Sequence, residues 1–190
     1  RKKFTFYITK AIDAYVKAKE YNKAIEIINN NSLNDKNAEL ENRVIILNAY
    51  QQLNSGKPGG AINLLKNLPE LDIPKNFKVA FYEIFAKASL GHGNYIEAIV
   101  KQLKLANYLI EVEMINNNTK VIWKIFESIP EYELEDLRIA APDELTSWFE
   151  LVIINQTYKY QRKKLKNAID GWAQRYENHF AYKLITDELV

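Results

Sequence analysis

The sequence predicts an all-α protein built from stacked helical hairpins. An Ala-Ile pair recurs at Ala24-Ile25, Ala61-Ile62 and Ala98-Ile99, each copy 37 residues after the one before. A turn signal precedes each pair, such as Gly91-His92-Gly93 ahead of the third. Apolar residues recur at helical spacing along most of the chain, and no stretch shows the apolar–polar alternation of a half-buried strand.

Space at the hairpin seam explains why alanine recurs. Two helices approach closely only where one carries a small side chain, and the isoleucine that follows fills the seam. Helix-like runs with Ala-Tyr or Ala-Ser lie upstream, at Ala14-Tyr15, Ala49-Tyr50 and Ala88-Ser89. A recurrence of this length indicates tetratricopeptide-like repeats, an α-solenoid whose concave face is the usual surface for partners.

Four helices are predicted before residue 70. Ile8, Ile12 and Tyr15 share one face of the first helix. Asn and Ser compete with helical backbone bonds, so the run 29–32 ends the second helix, and Asp35 or Asn37 caps the third. The predicted helices are Thr5–Lys19, Tyr21–Asn30, a third that ends near Asn54, and Ala61–Leu68, which Pro69 stops.

Residues 55–60 are interpreted as a turn longer than its counterparts. The run Lys57-Pro58-Gly59-Gly60 is rich in glycine beside a lysine, which suggests a phosphate loop as the alternative. Such a loop needs Lys-Ser or Lys-Thr after its last glycine, and this chain has Ala61-Ile62 there. We therefore expect the run to be structural.

The clearest amphipathic helix is expected to begin at Pro74, where a missing N–H costs nothing, and to end at Leu90. Its apolar face comprises Phe77, Ala80, Phe81, Ile84, Phe85 and Ala88. A long helix from about Tyr95 to Asn116 should follow, with an apolar stripe of Leu103, Ala106, Leu109, Ile110 and Val112. Asn116–Thr119 is interpreted as a break that caps the next helix.

The last part of the chain continues the helical pattern. Trp148 and Phe149 lie on a wide apolar face, so their helix should be central. Residues 158–164 are polar and aromatic and are interpreted as a connection. The predicted helices are 121–129, which ends before Pro130, Glu131–Ile139, one starting at Pro142-Asp143-Glu144, Lys166–Tyr176, and a short one near His179.

Composition and charge exclude several classes of protein. The net charge of +2 indicates no strong attraction to nucleic acid or to an acidic membrane. The absence of cysteine excludes disulfides and cysteine-ligated zinc. No stretch approaches the ~18 apolar residues of a membrane span, and no signal peptide follows Arg1. Because the chain lacks an initiator methionine, we expect a processed or excised fragment.

Residues suited to catalysis are few. The two histidines, His92 and His179, lie at no metal-binding spacing, so no metal or cofactor site is predicted. Glu127-Ser128 matches a dipeptide of lytic transglycosylases, but the glycine-rich motif expected after it is absent. We expect a protein that is not an enzyme. A small acidic cluster is interpreted as a solvated face: Glu131, Glu133, Glu135 and Asp136.

The candidate partner-binding residues are Tyr158, Tyr160, Arg162 and Lys163. Together with Lys164 they interleave aromatic and basic side chains, a pattern that suits nucleic acid or an acidic glycan. The other interpretation is a helix connection with a solvated basic face. The small net charge gives no support to nucleic acid.

The end of the chain resembles a known family. Residues 165–181, Leu-Lys-Asn-Ala-Ile followed by Trp172 and Arg175-Tyr176, are similar to the end of the helical N-terminal domain of the LpoA family. Glu177 and Phe180 stand where that family has prolines, so the join to the next helix should be less rigid. Residues 145–151 resemble a second stretch of the family, and the upstream repeats agree with its architecture.

The resemblance implies a regulator of peptidoglycan synthesis. Members are outer-membrane lipoproteins that stimulate the transpeptidase activity of a bifunctional class A penicillin-binding protein. A lipidated cysteine precedes their helical N-terminal domain, and a C-terminal domain similar to periplasmic substrate-binding proteins follows it. We expect residues 1–190 to be the N-terminal domain alone, on the periplasmic side of the outer membrane of a Gram-negative bacterium.

Within that family the missing C-terminal domain would make the main contact with the synthase. The present domain would act as a spacer or docking module, and the lipid anchor would lie outside this fragment. The alternative is a general tetratricopeptide-type adaptor that binds peptide segments of other proteins in its groove.

Overall fold

A computed structural model describes residues 2–31 and 40–176, with no side chains described for residues 2 and 3. This part of the chain contains ten α-helices and no strand, which confirms the all-α prediction. Three short 3₁₀ turns, Glu70–Asp72, Lys75–Phe77 and Asp143–Leu145, precede helices. The helices are α1 Lys2–Lys17, α2 Tyr21–Asn30, α3 Glu41–Asn54, α4 Pro58–Leu65, α5 Lys78–Gly91, α6 Tyr95–Ala106, α7 Val112–Ser128, α8 Glu131–Ala140, α9 Thr146–Tyr158 and α10 Arg162–Arg175.

The chain divides into two compact units, Arg1–Tyr108 and Leu109–Val190. The first unit holds three hairpins, α1–α2, α3–α4 and α5–α6, and each hairpin packs on the next. In the second unit α9 packs against α7, α8 and α10. None of the helices in the described ranges has the length and apolar character that crossing a membrane requires.

The 37-residue repeat is present in the backbone of the first unit. Lys19, Gly56 and Gly93 have φ of 59°, 71° and 81° and occupy the same position in successive turns. One residue later, the N–H of residue 20, 57 or 94 donates to the carbonyl five residues before it, at 2.8, 2.9 and 2.8 Å. This left-handed closure is a Schellman motif, and it satisfies carbonyls that the helix end leaves unpaired.

The recurring alanines lie where the repeat requires a small side chain. Ala24, Ala61 and Ala98 are each 0% exposed, so a larger residue would meet the facing helix. Ile25 and Ile99 are also buried, whereas Ile62 is half-buried. The predicted role of the Ala-Ile pairs is therefore confirmed for the alanines and for two of the three isoleucines.

The predicted turn at residues 55–60 is wrong in its second half. Helix α4 begins at Pro58, whose missing N–H suits the first helical position, so the turn is only residues 55–57. A Cβ on Gly60 would lie 3.0 Å from Gln52 Oε1, and one on Gly91 would lie 3.4 Å from Pro58 Cβ. The glycines thus permit close helix contacts, and no phosphate loop forms.

The predicted long helix from Tyr95 to Asn116 is also wrong. Helix α6 ends at Ala106, and α7 begins at Val112 and continues through the asparagine run that was interpreted as a break. The run is helical in the structure, where Asn118 and Thr119 are buried and Thr119 Oγ1 donates to Ile115 O at 3.0 Å. The expected apolar stripe is lost, since Ile110 is 92% exposed.

Smaller differences concern helix starts. The helix expected at Pro74 begins at Lys78 after a 3₁₀ turn, and the one expected at Pro142 begins at Thr146. Helix α10 starts at Arg162, four residues before the predicted start. The predicted caps Asp35 and Asn37 and the helix near His179 lie outside the described residues.

Lys19 occupies the turn position that is glycine in the other two repeats, so replacing it tests the left-handed closure of the turn. Lys19 holds a conformation that favours glycine, so Lys19→Gly should be more stable than Lys19→Ala by about 1 kcal/mol. Both variants lose the 3.0 Å ion pair with Glu83, so the difference between them isolates the backbone. Urea unfolding measures it. Equal stabilities would show that this turn carries no left-handed strain.

Candidate functional site

The described residues that were considered for catalysis lie on the surface. His92 is exposed in the turn after α5, and Glu127 is exposed on α7. Ser128 Oγ donates to Ile125 O at 2.7 Å, so it caps its own helix. His179 lies outside the described residues. Over residues 2–31 and 40–176, no group of three His, Asp or Glu side chains is placed to hold a metal ion.

The acidic cluster at residues 131–136 belongs to α8, a largely exposed helix. Glu135 pairs with Arg138, whose Nε and Nη2 lie 2.9 and 2.6 Å from the two carboxylate oxygens. This ion pair lowers the pKa of Glu135. Leu134 is the one residue of α8 that is buried. The cluster is thus a solvated face, as the sequence predicts.

The four candidate partner-binding residues lie together where α9 meets α10, in a segment we call the basic corner (residues 158–164). Tyr158 is the last residue of α9 and is half-buried. Tyr160, in the turn, is 88% exposed, and Lys159 Nζ lies 5.0 Å from its ring centroid. Arg162 and Lys163 occupy the first turn of α10 and are exposed.

Charge at the basic corner opposes helix stability. Residues 162–164, Arg-Lys-Lys, stand at the N-terminus of α10, where the helix dipole is positive. No acidic residue occurs between positions 151 and 169. Gln161, the N-cap residue, makes no capping side-chain bond. Each cation at this position costs roughly 0.3–1 kcal/mol of stability, so the start of α10 is less stable than it would be with neutral or acidic residues there.

The body of α10 is fixed firmly to α9. Trp172 is 0% exposed, and its Nε1–H donates to Ser147 O at 2.8 Å. Near the end of α10, Arg175 Nη2 and Tyr176 Oη lie 2.8 and 3.0 Å from the carboxylate of Glu150. The exposed corner is therefore presented by a rigid pair of helices.

A groove of about 540 Å³ lies in the first unit. The groove is lined by two carboxamide side chains, Asn42 and Asn67, and by two carboxylate side chains, Glu41 and Asp72. Asn42 Nδ2 donates to Asp72 O at 2.9 Å, and Asn67 Nδ2 donates to Asn63 O at 3.1 Å. Each carboxamide thus uses one of its hydrogen-bond donors within the protein, which leaves fewer donors for a ligand.

A cluster around Glu70 ties the 3₁₀ turn after α4 to α5 and α6. Lys104 Nζ lies 3.1 Å from both carboxylate oxygens, and Lys101 Nζ lies 3.3 Å from Oε1. Tyr82 Oη donates to Oε2 at 3.1 Å. Buried Lys78 donates to the backbone carbonyl of Glu70. Lys101 also lies 4.2 Å from the Phe85 ring centroid, a cation–π contact.

Electrostatics in the Glu70 cluster favour the charged carboxylate. Partial burial alone would raise the pKa of Glu70, but hydrogen bonds from Lys104, Tyr82 and Lys101 outweigh burial and lower that pKa. Burial and the neighbouring Glu70 carboxylate raise the pKa of Tyr82. The cluster is thus a structural latch. Sequence analysis missed it because its ion pairs join residues 31 and 34 positions apart.

Comparison with protein families identifies the chain's relatives. The profile of a family described as LppC putative lipoprotein matches residues 2–190. The chain belongs to the LppC family. The match covers both units of the structure, so the family relationship is not confined to the tail from which the resemblance was inferred.

Curated relatives of this LppC chain carry one name. A penicillin-binding protein activator LpoA from Glaesserella parasuis is 27% identical over 179 residues, which are 90% of this chain and 30% of that protein. One from Haemophilus ducreyi is 26% identical and covers 96% of this chain and 33% of that protein. The chain thus spans about a third of the length of these relatives.

Solved structures share the fold. The LpoA N-terminal domain from Haemophilus influenzae superimposes with a TM-score of 0.75 at 20% identity, covering 97% of this chain and 86% of that one. The amino-terminal domain of E. coli LpoA gives 0.71 at 23% identity, covering 91% and 77%. These similarities confirm the tetratricopeptide-like helical fold.

The Glu70 latch predicts an acid-sensitive first unit. Because the pKa of Glu70 is lowered, its carboxylate stabilises the fold fully at pH values above the ordinary glutamate pKa of about 4.3. This stabilisation is lost as the pH falls through the lowered pKa of the folded state. Glu70→Gln should remove up to about 1 kcal/mol at neutral pH and weaken the acid dependence. Glu26→Gln, on the exposed face of α2, is the control. Parallel pH–stability curves for wild type and Glu70→Gln would contradict the latch.

Trp172→Phe should destabilise the second unit. The change leaves the buried carbonyl of Ser147 without its indole donor and opens a small cavity, at a cost of about 1–3 kcal/mol. Tyr176→Phe removes a hydroxyl at the rim and should cost less. Thermal unfolding followed by circular dichroism measures both. If the two variants were equally stable, the indole bond would not anchor α10.

Proposed function

We propose that this chain is the non-catalytic, helical N-terminal domain of a longer envelope lipoprotein that activates a penicillin-binding protein. The observation that carries the proposal is the LppC family match over residues 2–190. The activators from Glaesserella and Haemophilus support it, since this chain aligns with about a third of each of them. Residues 1–190 serve in this proposal as one domain, although they form two compact units.

The partner in this proposal is a class A peptidoglycan synthase whose transpeptidase activity is stimulated. A C-terminal domain beyond this chain makes the main contact with it. A lipid anchor, also outside this chain, holds the protein on the periplasmic side of the outer membrane of a Gram-negative cell. Nucleic acid has no part in this function.

The mechanism proposed for this domain is geometric. Within the first unit, buried alanines let the two helices of each hairpin pack closely, and ion pairs link different hairpins. Arg43 on α3 binds Asp13 on α1 through two bonds, of 2.7 and 3.2 Å, and both side chains are mostly buried. Lys19 binds Glu83 on α5 at 3.0 Å. Such cross-links resist bending and favour a spacer that holds a second domain at a set distance from its anchor.

The second candidate function is a general adaptor that binds peptide segments. The groove of about 540 Å³ beside Asn42 and Asn67 favours it, because carboxamides can hydrogen-bond to an extended backbone. The hydrogen bonds that these carboxamides already make within the protein reduce that capacity.

Stimulation of peptidoglycan cross-linking by a purified class A synthase of the same organism tests the proposal. The complete protein that contains this chain and the part that follows residue 190 should both raise the cross-linking rate. The chain 1–190 alone should not, because its role is to position and not to activate.

Two outcomes of the cross-linking assay would contradict the proposal. Stimulation by the chain alone would place the activating contact on these helices and overturn the spacer mechanism. If neither the complete protein nor the part that follows residue 190 stimulated cross-linking, the assignment as an activator would be overturned. In that event, saturable binding of an extended peptide, lost in Asn42→Ala but kept in the matched control Asn48→Ala on the same helix, would favour the adaptor.

A further inference from the structure

We propose that the basic corner, residues 158–164, binds the peptidoglycan strand itself, through its sugar rings and its peptide carboxylates. This inference rests on the proposed function, which places the domain beside the polymer that the synthase extends. The proposed spacer role gives the basic corner no ligand, and this inference supplies one.

Charge at the corner fits an anionic polymer. Lys159, Arg162, Lys163 and Lys164 lie within six residues and are exposed, and the flanking positions 151–169 carry no acidic residue. Within residues 40–176, neither Lys163 nor Lys164 forms an ion pair. The stem peptides of peptidoglycan carry free carboxylates at regular intervals, which such a group of cations can neutralise.

Tyr160 provides an aromatic platform beside these cations. Its ring is 88% exposed, so it is accessible to a ligand. Lys159 lies over one side of the ring, which leaves the other free to contact a flat apolar surface. The axial C–H face of a pyranose ring is such a surface, and aromatic faces attract it by dispersion and by their quadrupole.

The placement of the cations indicates that the corner is kept for binding. Arginine and lysine at the start of a helix reduce stability, and the firmly packed end of α10 does not need them. A membrane surface suits the corner less well, because residues 158–164 carry no exposed Leu, Ile, Phe or Trp to insert among lipids. An acidic protein segment would use the cations but has no need of the tyrosine platform.

Co-sedimentation of the chain 1–190 with purified sacculi tests the inference. Wild type should bind, and its bound fraction should fall between about 50 and 200 mM salt. The triple variant Arg162→Gln, Lys163→Gln, Lys164→Gln should lose about tenfold in apparent affinity. Tyr160→Ala should also weaken binding, whereas Tyr160→Phe should retain it, because the ring and not the hydroxyl makes the platform.

Matched controls guard against unspecific charge effects. Lys17→Gln, Lys66→Gln, Lys124→Gln removes the same charge from exposed positions elsewhere and should leave binding unchanged. Sacculi whose carboxylates have been amidated should bind wild type more weakly. The triple variant relieves repulsion at the start of α10, and a thermal melt of each corner variant checks that a loss of binding does not come from unfolding.

Two results would overturn the inference. The first is equal retention of wild type and the corner variants on sacculi, or no retention of either. The second is a corner variant that loses binding to the purified synthase while sacculus binding stays intact, which would make the corner a protein contact. Neither result bears on stimulation of cross-linking by the complete protein, so failure of this inference and failure of the proposed function are distinguishable.

Discussion

The left-handed closure of each hairpin is the constraint on which the first unit depends. Positions 19, 56 and 93 reverse the chain within three residues, and five residues later an alanine allows the returning helix to lie close. The two features act together, because a tight turn without a small residue would force the helices apart. Once the spacing is set, α1, α3 and α5 come near enough for Asp13 to reach Arg43 and for Lys19 to reach Glu83.

Features set by neighbours in sequence could be predicted, and features set by distant partners could not. The Ala-Ile pairs, the turn glycines and the apolar residues at helical spacing in α5 are local signals, and the hairpins follow from them. Helix α5 is buried on more sides than an amphipathic helix, since Tyr82, Ala86 and Ser89 are buried as well. The asparagine run in α7 is read locally as a break, yet it is helical in the structure, with Asn118 and Thr119 buried. Tertiary packing thus overrode a local preference there.

The candidate surfaces show the same division. The basic corner could be found from sequence, because its aromatic and basic residues are consecutive. Its exposure and its position at a helix start came only from the structure. The Glu70 latch could not be found, because the two lysines that pair with its carboxylate lie more than 30 residues away and no short pattern marks the pairing. A lone glutamate after a proline carries no sign that two lysines and a tyrosine will meet it.

Lys19 and the start of α10 each break a local rule, and they differ in what surrounds them. Lys19 takes a left-handed conformation that costs a non-glycine residue stability, but its side chain binds Glu83, which Lys87 also binds. Part of the strain is therefore offset within the fold. Lys163 and Lys164 oppose the dipole of α10 and form no such ion pair within residues 40–176. The strain at Lys19 thus has an internal partner, whereas Lys163 and Lys164 have no ion-pair partner among the described residues, and this difference is why we propose a ligand of opposite charge for them.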